Sequence, residues 1–107
     1  MSKNKPSTAE KNKILEHVLM ISQKLVSESK SSKISVKLRT LLRYAYISYQ
    51  RQTFDLSTIR GLVPRLRPPS SLANQYFYRD IEALLKKRFH VDIHYKRNFR
   101  YVTFYKT

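Results

Sequence analysis

Six side chains able to contact a polynucleotide fall within one short stretch: Ser70, Ser71, Asn74, Gln75, Tyr78 and Arg79. Asn and Gln amides pair bidentately with adenine and Arg with guanine, while Ser and Tyr hydroxyls hold phosphate oxygens. A second group is cationic. Arg65 and Arg67 stand ahead of Pro68-Pro69 in a stiff basic loop, and Lys96, Arg97 and Arg100 crowd together near the C-terminus. At a hairpin tip the latter three would enter a minor groove or clamp its phosphates. An ordinary polar helix face and a solvated turn carry the same residue types, so the charge of the whole chain has to decide.

Other chemistries are poorly supplied. His90, Asp92 and His94 alternate, but two His and one Asp at period two lack a fourth ligand and fit an outward strand face, so no metal site is expected. The seven carboxylates are scattered, one Gly cannot build a phosphate-cradling loop, and no Ser/His/Asp set stands out. The chain is expected not to be an enzyme and to use no cofactor or small-molecule ligand. Zero Cys excludes disulfide scaffolds, Cys-type zinc sites and thiol catalysis, and fits a reducing compartment. No apolar run approaches roughly 18 residues and no signal-peptide core follows Met1. The expected location is therefore intracellular, cytoplasmic or nucleoid-associated, with no membrane partner.

The charge points one way. The chain has 107 residues with 22 Lys+Arg against 7 Asp+Glu, a formal +15. Such a field repels itself unless a polyanion neutralises it. At 41% hydrophobic residues, with 5 Phe and 8 Tyr, there is enough apolar surface for one small domain. Residues 1–33 hold no Arg, Phe or Tyr, whereas residues 34–107 hold all ten Arg, five Phe and eight Tyr. The Ser-rich join at 27–32 reads as a linker. The chain thus divides into an N-terminal element, 1–33, and a basic core, 34–107, with no internal repeat.

The elements that must position these residues follow from periodicity. Ser7 and Glu10 have capping-box spacing, and Ile14, Val18, Ile21 and Leu25 form one apolar stripe over about four turns. An isolated helix of that length is marginal, so the stripe must be buried. It either folds back on Leu38 or Leu42 or pairs with a second copy. The expectation carried forward is a homodimer reading a repeated or palindromic site. A second helix starts after Ser35 and runs to about Gln50 with Leu38, Leu41, Leu42, Ala45 and Tyr49 on one face. Thr53 to Leu56 suits a brief strand or turn. A short third helix with Ile59, Leu62 and Val63 inward ends at Pro64. Ser70 or Ser71 caps a fourth helix, Leu72 to Arg88, with Ala73, Phe77, Ile81, Leu84 and Leu85 inward. Asp80 reads as a local partner for a neighbouring Arg. Phe89, Val91, Ile93 and Tyr95 then alternate as a strand, Lys96 to Arg100 form a tip, and Tyr101 to Tyr105 returns with Val102 and Phe104 on one face. The fold class is mainly α with a small β-hairpin, in the element order of a winged helix with an extra N-terminal helix.

Phe77-Tyr78-Arg79-Asp80-Ile81-Glu82-Ala83-Leu84, followed by an apolar strand and Lys96-Arg97-Asn98-Phe99-Arg100-Tyr101, resembles the recognition helix and wing of DeoR-type winged helix-turn-helix regulators. The family usually has a tight turn where this chain has Arg65 to Pro69, and Gly where it has Arg88 and Phe99. The resemblance implies sequence-specific binding of double-stranded DNA through a helix at about 70–88 and a wing at about 89–106. Thr107 follows the second wing strand at once. That suggests either a small transcription regulator or a fragment that targets a larger replication initiator, at an origin, or a nuclease. An RNA-binding protein, favoured by the eight Tyr, and a winged-helix protein-interaction module are the alternatives.

Overall fold

A computed structural model describes residues 8–106; Ser7, the expected cap, and Thr107 lie outside the described residues. The elements are α1 (Thr8–Glu28), β1 (Lys33–Lys37), α2 (Leu38–Arg51), α3 (Leu56–Leu62), α4 (Gln75–Arg88), β2 (Val91–Lys96) and β3 (Phe99–Tyr105). Together they make a mixed α/β domain of four helices and one antiparallel sheet of strand order β1-β3-β2.

The third strand is the main correction to a helical fold with a lone hairpin. Lys33-Ile34-Ser35-Val36-Lys37 alternates at period two, and Ile34 and Val36 face Phe104 and Val102 across β3. The alternation was hidden because strand passes into helix with no turn between. Lys37 is the extended N-cap of α2 and makes no side-chain cap bond. Ser35, expected to begin a helix, instead shares a 2.7 Å hydrogen bond with Thr103. Of the brief strand or turn expected at Thr53 to Leu56, no strand forms, and the segment leads directly into α3. Asp55 caps α3, accepting from the Thr58 backbone N–H at 3.0 Å and from its hydroxyl at 2.5 Å. Those two bonds hold its carboxyl below the usual pKa.

Residues 8–33, the described part of the expected N-terminal element, do not stand apart from the core. Ile14, Val18 and Ile21 are 0% exposed and Leu25 5%, within the same apolar cluster as Leu41, Leu42, Phe77, Ile81 and Phe104. The stripe expected to form a dimer seam is therefore core of its own chain, and a seam built from those four side chains is ruled out by their burial. At about 1.5–3 kcal/mol for each fully buried aliphatic side chain, α1 supplies a large part of the stabilisation. Next to the stripe, the His17 ring lies flat on Phe54, 4.9 Å between centroids, and its Nδ1 is 2.7 Å from the Ser48 hydroxyl. Burial holds the His17 pKa below the ordinary value, partly offset by the nearby Glu16.

The fourth helix starts later than its periodicity suggests. Residues 65–74 form a loop closed by Ala73 N–H on the Pro69 carbonyl at 3.0 Å. Leu72, 2% exposed, pins that loop to the core, while Ala73, expected inward, is exposed. From Gln75 the apolar set is Phe77, Ile81 and Leu85, all buried.

Candidate nucleic-acid interface

Asn74, not Ser70 or Ser71, caps α4. Its Oδ1 accepts from the Phe77 N–H at 3.0 Å, and its Nδ2 donates to the Ser71 carbonyl at 2.7 Å. Both ends of the amide are thus engaged inside the chain, which fixes its orientation as the cap and leaves one N–H and one lone pair over. Ser71 is half-buried under the cap, and Ser70 is exposed in the loop. Gln75 is exposed at the first position of α4, Arg79 is exposed one turn later on the same face, and Tyr78 is half-buried beside them. Tyr76, passed over in the sequence, is 78% exposed.

The loop and the hairpin face each other across a groove. Leu38, Arg39, Ala73, Gln75, Tyr78, Tyr95, Asn98, Phe99 and Arg100 line a space of about 510 Å³. It continues into a smaller recess lined by Arg39, Arg43, Arg67, Pro68, Ala73 and Tyr78. Arg39 and Arg43 are the residues that sequence reasoning missed. They sit four apart on α2, off its apolar face, and such spacing aligns two guanidiniums on one side. That spacing is visible in the sequence, but nothing local links α2 to Arg67. Lys37 joins the same rim, its Nζ 4.1 Å over the Phe99 ring. Arg65 is exposed in the turn after α3 and lines neither space.

The hairpin separates its three cations. Arg97 and Asn98 both have positive φ, 54° and 69°, the requirement of a two-residue primed turn. Asn tolerates that region, whereas Arg costs about 1–2 kcal/mol. Lys96 and Arg97 are left exposed at the tip. Arg100 is not a free cation. Its guanidinium meets Glu82 of α4 at 2.6 Å and donates to the Tyr95 hydroxyl from Nε at 2.9 Å. Burial opposes that charge, but the Tyr95 hydroxyl and Glu82 outweigh it, and the pKa rises. Arg100 therefore ties β3 to α4. Asp80, the expected partner for an Arg, is exposed and makes no ion pair among the described residues.

Carboxylates are kept out of the groove. Of the four in residues 34–107, Asp55 caps α3, Glu82 holds Arg100 and Asp92 accepts from the Tyr105 hydroxyl at 2.7 Å. None of the four lines the groove or its recess. Low-charge walls between Arg39, Arg43 and Arg67 leave one sign of field, which suits a phosphate backbone. His90, Asp92 and His94 stand on the outer sheet face, and no group of three metal-capable side chains exists among the described residues. No described helix is long and apolar enough to cross a membrane. Comparison with protein-family models, curated proteins and solved structures finds no match to this chain.

Proposed function

We propose that the chain is a winged helix that binds duplex DNA, with α4 as the helix entering the major groove and β2–β3 as the wing. The observation that carries this reading is the groove itself. Exposed Gln75, the first residue of α4, lines it with Arg39 and with Asn98 of the hairpin tip. Arg39 continues into the recess with Arg43 and Arg67, and no carboxylate lines either space. Arg79 is exposed one turn beyond Gln75. The strand order β1-β3-β2, with a terminal hairpin following the helix, supports it, as does the resemblance of residues 77–101 to DeoR-type regulators. Gln75 and Arg79 read base edges. Tyr78, Arg39, Arg43, Arg67, Lys96 and Arg97 hold phosphates. The role is that of a small regulator or of the DNA-targeting part of a larger initiator or nuclease.

Titration of the full chain into labelled duplex tests the reading. With about six phosphate contacts, affinity falls on the order of a thousandfold between roughly 50 and 200 mM salt. On a site selected from a random duplex pool, Arg79→Ala reduces the preference for that site, and Arg43→Ala weakens selected and random duplexes alike. A flat salt response removes the electrostatic basis. Unchanged discrimination in Arg79→Ala removes α4 from base reading.

A further inference from the structure

The sheet has a second face that meets the groove only at Phe99, which lines it, and at Lys37 on its rim. The register puts Phe99, Tyr101, Thr103 and Tyr105 of β3 on it, with His94 beside Tyr101 and Lys37 on the other flank. Ile34, Val36, Val102 and Phe104 point the opposite way, into the core. The outer rings are ordered. His94 lies parallel to Tyr101, 5.7 Å between centroids and 10° apart in plane, and His90 leans on Tyr105 at 5.0 Å. Both His side chains are exposed and both Tyr half-buried. Lys33 and Lys96 are exposed at the two margins.

We propose that this face is a second binding site, a stacking platform for single-stranded nucleic acid, separate from the duplex groove. In a duplex the flat faces of the bases are already stacked, so exposed rings reward only bases that are free. The lysine margin supplies the phosphate charge. It also disfavours a protein partner, because Lys is depleted where proteins bury surface against each other. The single carboxylate among these side chains, Asp92, is engaged by the Tyr105 hydroxyl at 2.7 Å. Alternate residues on a strand are about 6.6 Å apart, which puts Tyr101 and Tyr105 about 13 Å from one another, a span of about two nucleotide steps.

The test uses the full chain, single strands of oligo(dT) and oligo(rU) of about fifteen nucleotides, and a blunt duplex of matched length. Replacing His94 and Tyr101 together with Leu lowers single-strand affinity about tenfold or more and leaves duplex affinity within about twofold. Whichever homopolymer binds more tightly identifies DNA or RNA as the ligand. If that variant does not fold, Lys33→Gln, on the exposed margin away from the groove, serves instead and weakens single strands more than duplex. The proposal is overturned by no wild-type binding to either strand at about 50 mM salt. It is overturned equally by a folded variant of unchanged single-strand affinity, or by equal losses for strand and duplex. Self-association abolished by the His94 and Tyr101 changes, without oligonucleotide binding, overturns it in favour of a contact between copies. Loss of duplex binding in Arg79→Ala and Arg43→Ala reports only on the groove, so the two readings fail separately.

Discussion

Helices α1 and α4 carry apolar stripes of the same period and use their other sides differently. In α1, Ile14, Val18, Ile21 and Leu25 are buried, and the polar side mixes Lys11, Lys13 and Lys24 with Glu16 and Glu28. In α4, Phe77, Ile81 and Leu85 are buried, and the exposed positions hold Gln75, Tyr76, Arg79, Lys86, Lys87 and Arg88, with Asp80 the one exposed acid. A stripe tells which side of a helix is dry but not what covers it. The exposed side separates the roles. Mixed signs satisfied within the helix, as in the 3.8 Å Lys24–Glu28 pair, mark a surface with no outside partner to serve. Amides, rings and one dominant charge are what the proposed duplex-binding surface of α4 presents.

The largest effect that would break this contrast is at α1. Replacing Val18 and Ile21 together with Glu puts two carboxylates where both side chains are 0% exposed. Each burial costs several kcal/mol, and the pair approaches or exceeds the roughly 5–15 kcal/mol that holds a whole domain together. The expected outcome is loss of the cooperative thermal transition in circular dichroism. A folded monomer that merely stops associating would instead restore α1 as a dimer helix.

A smaller effect sharpens the contrast at α4. If Arg100 were a wing cation, Arg100→Ala would weaken DNA binding and leave stability alone. As a tie between β3 and Glu82, with both side chains about one-fifth exposed, its removal strands a partly buried carboxylate. The expected loss is about 1–3 kcal/mol, discounted for that exposure. For a domain of this size this lowers the melting temperature by roughly 5–15 °C. Arg100→Ala made on a Glu82→Ala background loses less, because the stranded charge is gone. Equal losses in both backgrounds would show that the pair does not couple.

Much of this was legible in the sequence, and the failures share a cause. Burial of Ile14 to Leu25, the α3 stop at Pro64, the inward set Phe77, Ile81 and Leu85, and the turn at Arg97-Asn98 are local patterns that tertiary packing left in place. What the sequence concealed was pairing at a distance. Strand β1 lies 62 or more residues from its partner β3 and abuts α2 without a breaker, so its five-residue alternation competed with a helix signal. Arg39 and Arg43 reach the candidate groove only once Arg67 is folded against them. Arg100 looked like a tip cation because Glu82, eighteen positions earlier, carries no sequence mark as its partner.

The smallest effect concerns Asn74, where cap and base contact predict different things. As a cap, its side chain satisfies the Phe77 N–H, and Asn74→Ala costs about 1 kcal/mol. Asp accepts the same bond and adds a favourable charge at the helix start, so Asn74→Asp keeps stability within a few tenths of a kcal/mol of the wild type. A base contact reverses the ranking for binding. Adenine pairing needs an amide that both donates and accepts, so Asp would fail there as badly as Ala, with repulsion of the phosphates added. Because both groups of the amide are engaged within the chain, Asn74→Ala is expected to leave discrimination between the selected site and random duplex unchanged once measured at a temperature where the variant is folded. A loss of discrimination in Asn74→Ala, with melting unaltered, would return Asn74 to the proposed reading surface and extend that surface from Gln75 back to the cap.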